Sequence, residues 1–171
     1  MEELKKLIRD VPDFPEKGII FKDITTLTKD GEAFKKAVDY MLEPFKNERI
    51  DKIVGIESRG FLFGGAMAYK TGVGITLARK PGKLPAATIK EKYSLEYGIN
   101  TLELHRDAIE RGENILIVDD LLATGGTALA TARLIERLGG NVVGITFLIE
   151  LKFLNGIEKL KNYKVYSVIK Y

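Results

Sequence analysis

The chain has 171 residues, 45% of them hydrophobic and 30% charged, a balance that predicts one folded domain and excludes a disordered chain. Its 27 Lys and Arg against 24 Asp and Glu leave a net charge of +3, too small to argue for nucleic acid. With no cysteine and one histidine, His105, it excludes disulfides, a thiolate zinc site, a thiol nucleophile and a multi-histidine metal centre.

Met1 to Asp10 is charged throughout, with Leu4, Leu7 and Ile8 at helical spacing. It lacks the apolar stretch of a signal peptide, and no apolar run is long enough to span a membrane, so the expectation is a cytoplasmic protein without a membrane partner. Two prolines, Pro12 and Pro15, stop this helix, and an irregular segment runs on to about Gly31. Ala33, Phe34, Ala37, Val38, Met41 and Leu42 form a helical stripe that ends near Pro44. Apolar runs at 53–56, 73–78, 114–118, 142–149 and 165–169 then alternate with helical patterns through Ala66 and Ala68 and through Leu134 and Leu138. Continuous β-branched runs separated by helices predict an α/β fold, a parallel sheet covered on both faces by helices. Residues 79 to 112 interrupt it with a polar excursion, whose alternating part from Tyr93 to Leu104 predicts a hairpin.

The stretch from Ile115 to Ala128 carries the chemistry: an apolar strand ending in Asp119 and Asp120, a Thr124-Gly125-Gly126-Thr127 turn, then a helix. Ligands of open parallel sheets bind beyond the carboxyl ends of strands. There the glycines admit a close backbone approach, and the free N–H groups of Ala123 to Thr127 suit a phosphate. Two carboxylates beside that cradle would repel a second phosphate but accept hydrogen bonds from a ribose diol. The ligand that fits both is a sugar 5-phosphate. No Gly-Lys-Ser/Thr triplet and no Gly-x-Gly-x-x-Gly run exists at this turn to support a nucleoside triphosphate or dinucleotide reading.

Val118 to Thr127 resembles the phosphoribosyl pyrophosphate signature of type I phosphoribosyltransferases, and the Leu-Leu-Ala-Thr-Gly-Gly-Thr wording resembles their adenine-using branch. Asp13-Phe14-Pro15 with residues 18–24 resembles the family's base-binding hood (1–30). Glu57-Ser58-Arg59-Gly60-Phe61 resembles its pyrophosphate loop. Residues 79–85 and 93–98 resemble its flexible catalytic loop (79–105). The resemblance covers nearly all of residues 1–171. It implies a single phosphoribosyltransferase domain: parallel sheet flanked by helices, small N-terminal hood and flexible β-hairpin.

The resemblance further implies transfer of ribose 5-phosphate from phosphoribosyl pyrophosphate to a purine, adenine first and hypoxanthine or guanine as the alternative. A non-catalytic regulator that binds the donor is the other alternative. Ser58 and Arg59, in a turn with a non-proline cis peptide, would meet the pyrophosphate. So would the loop's Arg79, Lys80 and Lys83, with Lys90 and Lys92 adding charge against Glu91 alone. Catalysis would fall to Glu96, Arg59 and Lys80. The base would meet the Phe21 ring, the Ile20 backbone and Leu151, with Lys22 standing where relatives often carry Arg. The Mg²⁺ cofactor would ride on the substrate and water with no direct protein ligand, and the assembly would be a homodimer. His105 reads as a structural or interface histidine rather than a general base.

Overall fold

A computed structural model of the chain describes residues 1–94 and 98–171. Its centre is a five-stranded parallel sheet in the order β4–β3–β7–β8–β9. The strands are β3 (Lys52–Ile56), β4 (Gly74–Ala78), β7 (Asn114–Leu122), β8 (Asn141–Glu150) and β9 (Val165–Lys170). Strand β7 lies in the middle and shows why the apolar runs are continuous rather than alternating. Leu116 and Val118 enter the core on one face, Ile115 and Ile117 the core on the other, and all four are fully buried.

Three twelve-residue helices cover the sheet: α3 (Gly31–Leu42), α4 (Gly60–Thr71) and α5 (Gly126–Arg137). Helix α3 starts where the Asp30 carboxylate accepts the Ala33 N–H at 3.0 Å. It buries Ala33, Ala37, Val38, Met41 and Leu42, the stripe expected from the sequence, and gives way at Pro44 to a 3₁₀ turn (Glu43–Phe45). Helices α3 and α4 share one core with the N-terminal segment, and α5 occupies the other face.

The N-terminal expectation needs correction. The first helix, α1, spans only Glu2–Lys5, and Arg9–Pro12 forms strand β1, paired antiparallel with β2 (Ile20–Asp23). The segment expected to be irregular therefore holds half a ribbon, followed by a short helix, α2 (Thr25–Thr28). One polar residue shapes the intervening turn: Asp13 at φ +55° takes the Gly18 N–H on its carboxylate at 2.7 Å. Leu4, Ile8, Ile24 and Leu27 anchor this hood in the first core. Local periodicity over residues 1–10 cannot reveal a ladder partner ten residues away, and the partner overrode it.

A second correction concerns β7, which does not end at the acidic pair. It continues through Asp119 and Asp120 to Leu122 because β8 extends alongside, pairing Asp119 with Phe147 and Leu122 with Glu150. The hairpin is present but starts earlier than the alternation from Tyr93 predicts. Strand β5 (Thr88–Ser94) pairs with β6 (Ile99–His105), in register from Thr88↔His105 to Ser94↔Ile99, because the cross-strand partner and not the local pattern sets where the first strand begins. It lies against α5, where Glu91 accepts from both Arg133 and Arg137.

Candidate active site

The site lies over the carboxyl ends of β3 and β7, where two turns meet. The first follows β7. Gly125 has φ +76°, and a Cβ there would sit 2.3 Å from the Gly156 carbonyl oxygen, so only glycine fits. Gly156 is equally constrained, since its own Cβ would lie 2.1 Å from the Ala123 carbonyl oxygen. Ala123 to Thr127 is thus clamped against a 3₁₀ turn (Gly156–Leu160) that carries no signal in the motif itself. Among the described residues no acceptor takes the amide N–H groups of Thr124 to Ala128. With the α5 dipole behind them, these donors form an anion cradle. The Thr127 hydroxyl donates to the Tyr93 hydroxyl at 3.2 Å, which ties the cradle to the hairpin.

The second turn follows β3 and joins Glu57 to Ser58 through a cis peptide bond, as the resemblance implied. Gly60 lets this turn lie on β7: a Cβ there would be 2.7 Å from the Val118 carbonyl oxygen and 3.0 Å from Asp119 Oδ1. Between the turns is a cavity of about 400 Å³ faced by Ser58, Arg59, Lys80, Asp119, Asp120 and Thr127.

The acidic pair is asymmetric. Asp119 is half-buried, and its Oδ1 accepts the Asp120 N–H at 2.9 Å. Asp120 is buried, and Arg59 Nε stands 2.9 Å from its Oδ2. That contact is an ion pair without a directed hydrogen bond, because Oδ2 keeps no hydrogen-bond partner. Burial raises the pKa of both acids above the usual carboxylate range. For Asp119 the neighbouring Asp120 charge adds to the rise, whereas for Asp120 Arg59 opposes it. Held so close, the two carboxylates are poised to accept hydrogen bonds or positive charge from a ligand.

Glu57 opens the Glu57-Ser58-Arg59-Gly60-Phe61 turn, and its carboxylate organises the cationic loop. Its carboxylate accepts the Lys80 N–H at 2.8 Å and meets the Arg79 guanidinium at 3.2 and 3.3 Å. Burial alone would raise its pKa, but the Lys80 N–H and Arg79 pull it below the ordinary value. Arg79 also lies over the Phe61 ring and donates to the Lys83 carbonyl, so it braces the loop. The five loop cations therefore do not act as one cluster. Lys80 faces the cavity, Lys83 lies near enough to Glu57 to favour its charged form, and Lys90 pairs with Glu103 at 2.9 Å. Lys92 lines a separate groove beside Tyr93 and Arg133. Charge counting along the loop could not separate these partners.

On the hood, the Phe21 ring meets Phe14 edge-on at 5.1 Å and carries the Arg59 guanidinium 4.9 Å above its centroid. Arg59 thus links the aromatic platform to Asp120. Ile20 is exposed beside it. Lys22 follows Phe21 on the opposite face of β2, where it pairs with Asp10 at 2.7 Å and lies over the Tyr171 ring at 3.9 Å. Leu151 is half-buried at the end of β8, its N–H donating to the Leu122 carbonyl. His105 accepts the Ala86 N–H on Nε2 at 3.3 Å, a structural contact. Glu96 lies outside the described residues. Among the described residues no group of three or more potential metal-ligating side chains converges, and no helix is long and apolar enough to cross a membrane.

An anion cradle, a carboxylate pair and a cationic wall around one cavity, with an aromatic platform joined to it through Arg59, can hold a phosphorylated sugar between a second anion and a flat ring. The chain is similar to known proteins over its whole length. Residues 24–170 match the family model described as a phosphoribosyl transferase domain. The adenine phosphoribosyltransferase of Geotalea daltonii is 55% identical over 171 residues, the full length of both chains. The crystal structure of adenine phosphoribosyltransferase from Thermoanaerobacter pseudethanolicus superposes with a TM-score of 0.97 at 52% identity over 99% of each chain. That of Saccharomyces cerevisiae, solved with adenine and an imino-altritol bisphosphate, gives 0.91 at 42% identity over 98% of this chain and 97% of its own. The chain belongs to the type I phosphoribosyltransferase family, among its adenine phosphoribosyltransferases.

Proposed function

We propose that this enzyme transfers the 5-phosphoribosyl group of phosphoribosyl pyrophosphate to adenine, releasing pyrophosphate and forming AMP in purine salvage. The observation that carries the reading is the single cavity in which Asp119, Asp120, Arg59 and Lys80 meet beside the Thr124–Ala128 amides. In this reading the Thr124 to Ala128 amides, that of Thr127 included, and the Thr124 hydroxyl hold the 5-phosphate, and Asp119 and Asp120 hold the ribose hydroxyls. The bond from the anomeric carbon to pyrophosphate breaks as the purine nitrogen bonds to that carbon, and the purine loses a proton. Positive charge that develops on the ribose finds the acidic pair beneath it, and Ser58, Arg59, Lys80 and Lys83, braced by Arg79, meet the negative charge leaving with pyrophosphate.

Adenine stacks on Phe21, with the Ile20 backbone at its edge and Leu151 opposite. Lys22 acts through its hold on Asp10 and Tyr171 rather than by touching the base. Glu96 is assigned the purine proton on the resemblance alone. Hard carboxylate oxygens beside the donor site suit a hydrated Mg²⁺ carried on substrate oxygens, the mode that ion prefers. When bound, it neutralises charge on the leaving pyrophosphate.

The 171 residues act as one catalytic unit, with the hood at 1–30 and the loop at 79–105. We read the assembly as a cytoplasmic homodimer. Leu62 and Tyr69, seven residues apart on α4 and 51% and 92% exposed, support the dimer because they leave an apolar helix face uncovered.

One assay tests the function: purified protein with Mg²⁺ and phosphoribosyl pyrophosphate, offered adenine, hypoxanthine or guanine in parallel. AMP from adenine alone is the expected result. Nucleotide from hypoxanthine or guanine but not adenine overturns the base assignment. Tight donor binding without product from any base would make the protein a regulator.

A further inference from the structure

Strand β6 serves as a template for the loop that precedes the hairpin. Arg79 N–H donates to the Glu103 carbonyl at 3.0 Å, and Glu103 N–H donates to the Arg79 carbonyl at 2.7 Å. Farther along, Gly82 N–H donates to the Glu103 carboxylate at 3.4 Å, Ala86 N–H to His105 Nε2 at 3.3 Å, and Arg106 N–H to the Ala87 carbonyl at 2.9 Å. The backbone contacts are open to any sequence. The other two require an acceptor side chain at 103 and at 105.

Glu103 is the more demanding of the pair, since its side chain is only 4% exposed. A carboxylate so buried is costly unless it is paired and hydrogen-bonded. Its Oε1 meets Lys90 at 2.9 Å, which neutralises it, and leaves Oε2 for the Gly82 amide. Gly82 sits at φ +77° between Lys80 and Lys83, so the conformation of this turn decides where both ammonium groups project. The cross-strand partner Lys90 accounts for the charge of this acid, and its contact with the Gly82 amide ties it to the cationic loop.

We propose that Glu103 is a positioning residue for the pyrophosphate-facing loop. Its carboxylate fixes the turn at Gly82, with His105 as the second anchor, so that Lys80 and Lys83 are held ready for the leaving group. The assignment of pyrophosphate as the anion rests on the phosphoribosyl-transfer reading; the anchoring of the loop does not.

Two readouts separate these claims in the full-length protein. Glu103→Leu removes the acceptor at similar volume, whereas Glu103→Gln keeps an oxygen for Gly82. Glu103→Leu is expected to raise the KM for phosphoribosyl pyrophosphate about tenfold, the effect of one lost hydrogen bond to a charged group, with the adenine KM within about twofold. Glu103→Gln should stay within about threefold of wild type on both. Trypsin, without substrates, should cut Lys83–Leu84 about tenfold faster in Glu103→Leu than in wild type or Glu103→Gln. Equal rises in both KM values, an unchanged donor KM, or Glu103→Gln behaving like Glu103→Leu would overturn the proposal. Should Glu103→Leu fail to fold, His105→Ala must show the same split and the same faster cleavage, and its failure to do so also overturns the proposal. A wild type without turnover would sink the transfer reading, while the cleavage comparison would still decide the anchoring.

Discussion

Substituting Gly125 by alanine tests whether the anion cradle depends on its clamp against the Gly156–Leu160 turn. Two costs add. An L-residue at φ +76° costs about 1–2 kcal/mol. The new methyl would also stand 2.3 Å from the Gly156 carbonyl oxygen, 3.1 Å from its carbon and 3.4 Å from its Cα. Backbone cannot swing aside as a side chain end can, so overpacking adds about 1–3 kcal/mol. The sum, about 2–5 kcal/mol, lowers the melting temperature by roughly 5–15 °C in a domain of this size. Gly72→Ala is the internal control: its φ of +74° is nearly the same, but nothing lies within 4 Å of the added methyl. It should lose only about 1–2 kcal/mol and keep its donor affinity. Thermal unfolding of both variants, with the KM for phosphoribosyl pyrophosphate, reads the difference. Gly156→Ala should resemble Gly125→Ala, and the double variant should lose less than the sum, since both changes break one contact. If Gly125→Ala melts no lower than Gly72→Ala, or keeps wild-type donor KM, the clamp is not what shapes the cradle.

Three further outcomes follow from the charges. The folded protein holds the Asp119 proton more tightly than the unfolded chain, because burial and the Asp120 charge raise its pKa. Its stability penalty is therefore present at neutral pH and relieved as pH falls through the raised value. Asp119→Asn should melt above wild type at pH 7, lose that advantage towards pH 4, and bind donor more weakly; an advantage that persists at pH 4 would contradict this. Asp23 is the opposite case. The hydrogen bond from Arg9, helped by the Thr25 N–H, holds its pKa down to about 2. Its contribution is present above about pH 4 and lost as pH falls towards 2. Arg9 is 59% exposed, so at most about 1 kcal/mol is at stake, and Asp23→Asn should show a flatter acid-side melting profile than wild type. Among the loop cations, Lys80→Ala should raise the donor KM about tenfold, whereas Lys92→Ala, in its separate groove, should leave it within about twofold. Equal effects would return the loop to a diffuse basic surface.

The strands of the central sheet, helices α3 to α5 and the second strand of the hairpin were legible in the sequence because each is a local regularity. Val118 to Thr127 was legible for a different reason: two adjacent acids and two glycines after an apolar run are rare enough to specify a ligand. The β1–β2 ribbon was missed because pairing is non-local. The continuation of β7 past Asp120 was missed because polar residues read as a strand's end when the neighbouring strand cannot be seen. Glu103 and Gly156 carry no signal of their own, and Glu57 stands in a motif that does not disclose its role. They matter through what the fold sets beside them.

Composition had already narrowed the chemistry. Without cysteine and with a single histidine, the chain is left to bind and stabilise charge, and residues 118–127 say where. A net charge of +3 said nothing about which basic residues meet the ligand. Only the tertiary structure divides them: Lys80 into the cavity, Lys90 onto a buried acid, Arg79 onto Glu57, and Arg59 between Asp120 and Phe21. Charge type is written residue by residue, but the partner of a charge depends on distance and burial, and those exist only once strands far apart in the chain lie side by side.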